Sequence, residues 1–111
     1  SSLGVNEVLF GLMGEPDKLA ELSKLAGTLR FAVEGTDLQT QAEVQEDIRI
    51  LSRHLPVDYN IPSLVQAVLD SSVRSGQLAQ LYLDRCYKLA NGDIADARDL
   101  EIRIETLKAS G

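Results

Sequence analysis

From Ile61 to Ala90 the chain holds a single apolar phase, and this stretch constrains the fold more than any other. At the helical 100° per residue, Leu64, Ala67, Val68, Leu78, Ala79, Tyr82, Cys86 and Leu89 fall on one side. Gln66, Asp70, Gln77, Gln80, Asp84 and Lys88 fall on the other. A segment patterned in this way has to be helical and has to be covered along one side by the remainder of the chain. The two halves stay in phase across Ser75-Gly76, which predicts one long central helix over 62–90 with a kink site at that small pair. Pro62 suits a first turn, where its missing N–H costs nothing, and Gly92 suits the left-handed position past the end. A straight helix of that length would run about 43 Å, whereas a domain of this size is only about 34 Å across. The helix therefore has to bend or project.

The segments before and after it also read as helices. Residues 1–13 hold Leu3, Val5, Val8, Leu9, Phe10, Leu12 and Met13, with only Asn6 and Glu7 strongly polar. This predicts a helix apolar on more than half its circumference, either tucked into the core or acting as an arm that docks elsewhere. Gly14-Glu15-Pro16-Asp17 starts a second helix over 15–34, with Leu19, Leu22, Leu25, Ala26, Leu29, Ala32 and Val33 on its inner side and Gly35 as its left-handed stop. Thr36 to Gln39 and Thr40 to Glu43 each match a capping box, so a third helix over 37–55 has two candidate starts. Val44, Ile48, Leu51 and Leu55 form its seam, Glu43, Glu46, Asp47, Arg49 and Arg53 its wet side, and Pro56 its end. Asn60 is placed to cap the central helix. Asp93 caps a last helix over 93–108, with Leu100, Ile104 and Leu107, preceded by Ile94 and Ala97, facing inward. Asp70–Arg74, Asp84–Lys88 and Asp99–Arg103 are spaced as i, i+4 pairs. No period-2 alternation persists. The expectation is a single all-α domain over 1–111, a bundle of about five helices around one long central helix.

Composition narrows the function more than it names it. The formal charge is −6, a balance opposite to that of chains whose task is to neutralise phosphates, so neither nucleic acid nor an acidic membrane surface is expected as a partner. Aromatics make up only 5% with no Trp, so the core must be aliphatic. No stretch approaches the roughly 20 apolar residues of a membrane span. The first positive residue is Lys18, which does not suit a signal peptide, and the single cysteine, Cys86, fits a reducing compartment. A cytoplasmic location is the expectation.

Catalytic and ligand-binding patterns are not found. His54, the one histidine, sits at the end of the third helix, where its charged form suits the dipole. Cys86 lies mid-way along an apolar side and reads as a small core hydrophobe, with no cationic neighbour on its own side to activate it. Glu43, Glu46 and Asp47 form a solvated acidic face, and no metal-ligand spacing or phosphate-binding glycine loop occurs. The corner at Asn91-Gly92-Asp93, with Tyr87 before it and Ala97 after it, resembles a tetratricopeptide hairpin. It lacks that motif's small residue and large aromatics at their spacings, so the resemblance implies nothing about function. The helix after the corner mixes Asp96, Asp99, Glu101 and Glu105 with Arg98, Arg103 and Lys108, a poor match to a DNA backbone.

What remains is surplus apolar surface: residues 1–13, Ile50 and Ile102 lie outside the main seams. The expectation is a non-catalytic protein–protein interaction module such as an adaptor, assembly factor, small chaperone or regulatory subunit. It would act through helical apolar surfaces on another protein or in a homodimer, with no cofactor and no metal. Val5, Leu9, Phe10, Leu12, Met13 and Ile102 are its candidate contact residues. The alternatives are a helical bundle binding a cofactor or small molecule near Tyr82 and Cys86, and then a DNA-binding regulator.

Overall fold

The structure, a computed structural model, describes residues 2–110. They form six α-helices: α1 (Ser2–Leu12), α2 (Glu15–Glu34), α3 (Leu38–Ser52), α4 (Ile61–Leu69), α5 (Val73–Ala90) and α6 (Ile94–Ala109), with a 3-10 turn at Val57–Tyr59. There is no strand among the described residues. The contacts divide the chain into two units, one ending at Asp58 and the other beginning at Tyr59.

In the first unit α2 and α3 form a hairpin and α1 packs on α3. Leu19, Leu22, Leu25, Ala26, Leu29 and Ala32 of α2 are buried, as are Val44, Ile48 and Leu51 of α3 and Leu55 just beyond it. Ile50, read from the seam as a surplus apolar residue, is buried as well. The apolar side of α3 is therefore wider than its i, i+4, i+7 seam, because the helix is covered by both α1 and α2. The start of α3 is set by neither threonine capping box. Asp37 is the N-cap, and its carboxylate accepts from the backbone N–H and the hydroxyl of Thr40. Those two hydrogen bonds hold the Asp37 carboxyl below its usual range.

In the second unit α5 packs against α4 on one side and α6 on the other. The predicted long central helix is here two helices, broken at Asp70-Ser71-Ser72 and not bent at Ser75-Gly76. Side chains make the break by taking over backbone donors. The Asp70 carboxylate accepts the Ser72 N–H at 3.0 Å, and Ser72 Oγ accepts the Ser75 N–H at 3.1 Å, which makes Ser72 the N-cap of α5. Ser75 and Gly76 belong to the first turns of α5. The apolar phase survives because both helices bury the same side, through Ile61, Leu64, Ala67 and Val68 in α4 and Tyr82 and Cys86 in α5. Ala97, Leu100 and Ile104 of α6 are buried, but Ile94 is exposed, against the inward position read for it.

The two hairpin corners share one geometry. At the end of α5, Asp93 N–H reaches Lys88 O and Gly92 N–H reaches Leu89 O, with Gly92 left-handed at φ 76°. At the end of α2, Asp37 N–H reaches Ala32 O and Thr36 N–H reaches Val33 O. Here the left-handed residue is Thr36, at φ 52°, and Gly35 is the right-handed residue before it. The glycine expected to stop α2 is thus one position early. A β-branched residue carries the strained conformation instead.

Candidate functional site

The feature most unlike an ordinary domain surface is α1, whose polarity is turned inside out. On its inward side Asn6 donates to Asp47 of α3 at 2.9 Å. Glu7 meets Arg53 at 3.4 Å and His54 Nε2 at 2.9 Å. The His54 contact is off line for a hydrogen bond, so it pairs the groups by charge alone when the ring is protonated. Phe10 is buried at 5% exposure, and the His54 ring packs beside Gly11, where even an added Cβ would make an ordinary contact at 3.4 Å. Lys18 Nζ donates to the His54 carbonyl and closes the end of α3 onto the start of α2. The polar pair that would normally mark the wet side of a helix is used for internal contacts.

The opposite side of α1 consists of Val5, Val8, Leu9 and Leu12, exposed at 58, 61, 49 and 80%. Their i, i+3, i+4, i+7 spacing makes one continuous aliphatic stripe. The only charge on α1, Glu7, is turned away from it. Covering the stripe would take about two and a half side chains' worth of surface from water, about 4–7 kcal/mol at ~1.5–3 kcal/mol for each.

Of the contact residues read from sequence, Val5, Leu9 and Leu12 lie on this stripe. Phe10 faces inward as the anchor of α1 on the first unit, and Met13 is half-buried just after the helix. Ile102 lies in the second unit, 61% exposed on the outer side of α6, as does the exposed Ile94. The sequence reading passed over Val8, and the signal was present, because Val8 completes the spacing set by Val5, Leu9 and Leu12. It also passed over Phe31 and Leu38, which are exposed on either side of the Gly35-Thr36 corner.

Grooves are found in the second unit. One of about 700 Å³ runs between α5 and α6, lined by Gln77, Gln80, Leu81, Asp84, Arg103 and Leu107 among others. A second, of about 490 Å³, continues along the same hairpin and shares Asp84 and Arg103 with it. Both are open clefts with mixed polar walls. Cys86 does not line either of them. It is fully buried, and its thiol donates to the Tyr59 carbonyl at 3.4 Å. Tyr82 lines a smaller cleft of about 250 Å³ against α4.

Two ion pairs bridge α5 to α6, and Asp84, Lys88, Asp96, Asp99 and Arg103 line the second cleft. Arg85 meets Glu101 at 2.9 Å and Lys88 meets Asp96 at 3.4 Å, while Asp84 accepts from Gln80. Lys88 thus reaches across the hairpin and not along its own helix to Asp84. Among the described residues no group of three or more His, Cys, Asp or Glu side chains could hold a metal ion. No described helix is long and apolar enough to cross a membrane. No protein-family model matches the chain, and comparison with curated proteins and with solved structures finds no match.

Proposed function

We propose that the chain is a non-catalytic protein-interaction module that docks through the outer side of α1. One observation carries this reading. Asn6 and Glu7 of α1 pair with Asp47, Arg53 and His54 of their own unit, while the helix presents four aliphatic side chains to water. A helix that served only its own fold would be turned the other way. Contiguous exposed apolar surface of this kind marks an interaction site, and a helix presenting i, i+3, i+4, i+7 anchors suits groove or helix-pair recognition.

The test is a double charge substitution, Val8→Glu with Leu12→Glu. Because both side chains already stand in solvent, helicity and the urea midpoint are expected to stay at the unmodified values, while retention on a phenyl column falls. If the double variant unfolds, or its midpoint drops as far as that of a buried-residue variant, the stripe is core and the proposal fails.

A small-molecule reading finds its best geometry in the cleft between α5 and α6, whose volume is of ligand size. Its polar groups, Gln77, Gln80, Asp84 and Arg103, are the residues whose amide and side-chain signals a ligand would shift. The cleft is open along its length, and that is why it ranks second.

A further inference from the structure

We propose that the groove between α5 and α6 is a second docking site, and that its occupant is an amphipathic, net-basic helix of another protein. The groove lies wholly in the second unit, so its role does not depend on α1. Its shape and its charge point to that occupant.

The two clefts share Asp84 and Arg103 and so form one groove along the hairpin. The α5 wall recurs as Gln77, Leu81, Asp84 and Lys88, and the α6 wall as Leu100, Arg103, Leu107 and Ser110. Each series advances by three or four residues, so each wall is one ridge following its helix axis. From Gln77 to Lys88 the groove runs about 17 Å, roughly three helical turns. It is open along that length. A compact ligand would leave most of it wet, whereas a third helix fills the groove of an antiparallel pair from end to end. Leu100 is buried, and Leu81 and Leu107 are half-buried. These three side chains make an aliphatic floor for the apolar seam of a docked helix.

Charge selects the kind of helix. At the corner end Lys88 is tied to Asp96 at 3.4 Å. Among the described residues Asp84 meets only the neutral Gln80 amide, at 2.8 Å, and neither Asp99 nor Arg103 enters an ion pair. The walls therefore hold more unpaired carboxylates than unpaired cations, on a chain of charge −6. Asp84 stands on one wall and Asp99 on the other, so a basic residue on each flank of the docked helix meets a carboxylate. The field of the whole chain steers such a helix in. One acidic residue opposite Arg103 completes the match and fixes the helix's direction along the groove. An acidic helix would instead leave Asp84 and Asp99 covered and unpaired, which costs affinity.

The probe that tests this is an end-capped synthetic peptide of about four turns, with Leu at i, i+3, i+4, i+7 and Lys on both flanks. Binding is read from the amide signals of the full chain by heteronuclear NMR. The same peptide with Glu in place of Lys, and Nα-acetyl-lysine amide, are the controls. The Lys peptide is expected to shift the side-chain amides of Gln77 and Gln80 and the backbone amides along both walls, with α1 unmoved. Its affinity is expected to fall as salt rises. It is expected to bind about tenfold more weakly to an Asp84→Lys, Asp99→Lys chain, which takes the Glu peptide instead. The isosteric Asp84→Asn, Asp99→Asn chain keeps side-chain size and is expected to weaken the Lys peptide about threefold. Lys and Glu peptides that bind the unmodified chain equally would overturn the assignment, as would shifts outside the groove or none at millimolar peptide. The same shifts produced by Nα-acetyl-lysine amide at similar affinity would give the groove to a small cation and overturn the helix.

Discussion

Replacing Thr36 by glycine is expected to stabilise the first unit, although it deletes a side chain and a hydrogen bond. Thr36 sits at φ 52°, where an L-residue is about 1–2 kcal/mol worse than in the right-handed region. Glycine removes that strain but frees the unfolded chain by about 0.5–1 kcal/mol. The Thr36 hydroxyl bond to the Gly35 carbonyl is exposed, so its loss subtracts at most about 0.5 kcal/mol. The balance is a gain of about 0.5 kcal/mol. The matching corner of the second unit supplies the control. Gly92 is at φ 76° and a Cβ there would touch nothing within 4 Å, so Gly92→Ala isolates the backbone term and is expected to lose about 1 kcal/mol. Urea unfolding followed by far-UV circular dichroism reads both changes as midpoint shifts at constant slope. A lower midpoint for Thr36→Gly, or an unmoved one for Gly92→Ala, would refute the reasoning.

Other expectations follow from particular contacts. Ser72→Ala removes the side-chain cap of α5 and should lower stability by about 1 kcal/mol, seen as a shifted urea midpoint. The Asp70 carboxyl is held below its usual 3.8 by the Ser72 N–H, as that of Asp37 is by Thr40. Carboxyls lowered in the folded state contribute stability above about pH 4 that is lost as pH falls through their folded values. A double Asp37→Asn, Asp70→Asn chain should therefore show a flatter acid limb in thermal melts. Cys86 is fully buried, so a thiol reagent should label it only as fast as the chain opens, and fast labelling of the native protein would contradict that burial. Phe10→Ala removes the anchor of α1 and should destabilise the first unit by about 3 kcal/mol, read as a loss of helical signal at lower urea.

The all-helical character was legible because apolar spacing and helix-end residues agree along most of the chain. Leu19 to Ala32 on α2 and Val44 to Leu55 around α3 read correctly as inner faces, since those helices are covered where the pattern is apolar. The helix count was not legible. α4 and α5 keep one phase through the break, and a wheel plot cannot separate two such helices from a single one. The pattern Asp70-x-Ser72-x-x-Ser75 held the missing information, as an acid that takes a backbone N–H followed by a serine cap. Asp37 was overlooked in the same way between two threonines with better-known spacing.

For α1, periodicity shows a helix but not which side is covered. Asn6 and Glu7 look like a wet edge until Asp47, Arg53 and His54 are placed opposite them. That pairing joins residues about forty positions apart in sequence, beyond the reach of any local pattern. Periodicity alone therefore does not separate Phe10, which is buried, from Val8, which is exposed.

Amide hydrogen exchange across α1, compared between the unmodified chain and the Val8→Glu, Leu12→Glu chain, tests the central claim most directly. Exchange at residues 4–12 is expected to be equally slow in both chains, because the substituted side chains stand in solvent and Phe10 holds the helix from its other side. Exchange in α1 that accelerates in the double variant would show the stripe to be core and contradict its assignment as the face on which this chain docks.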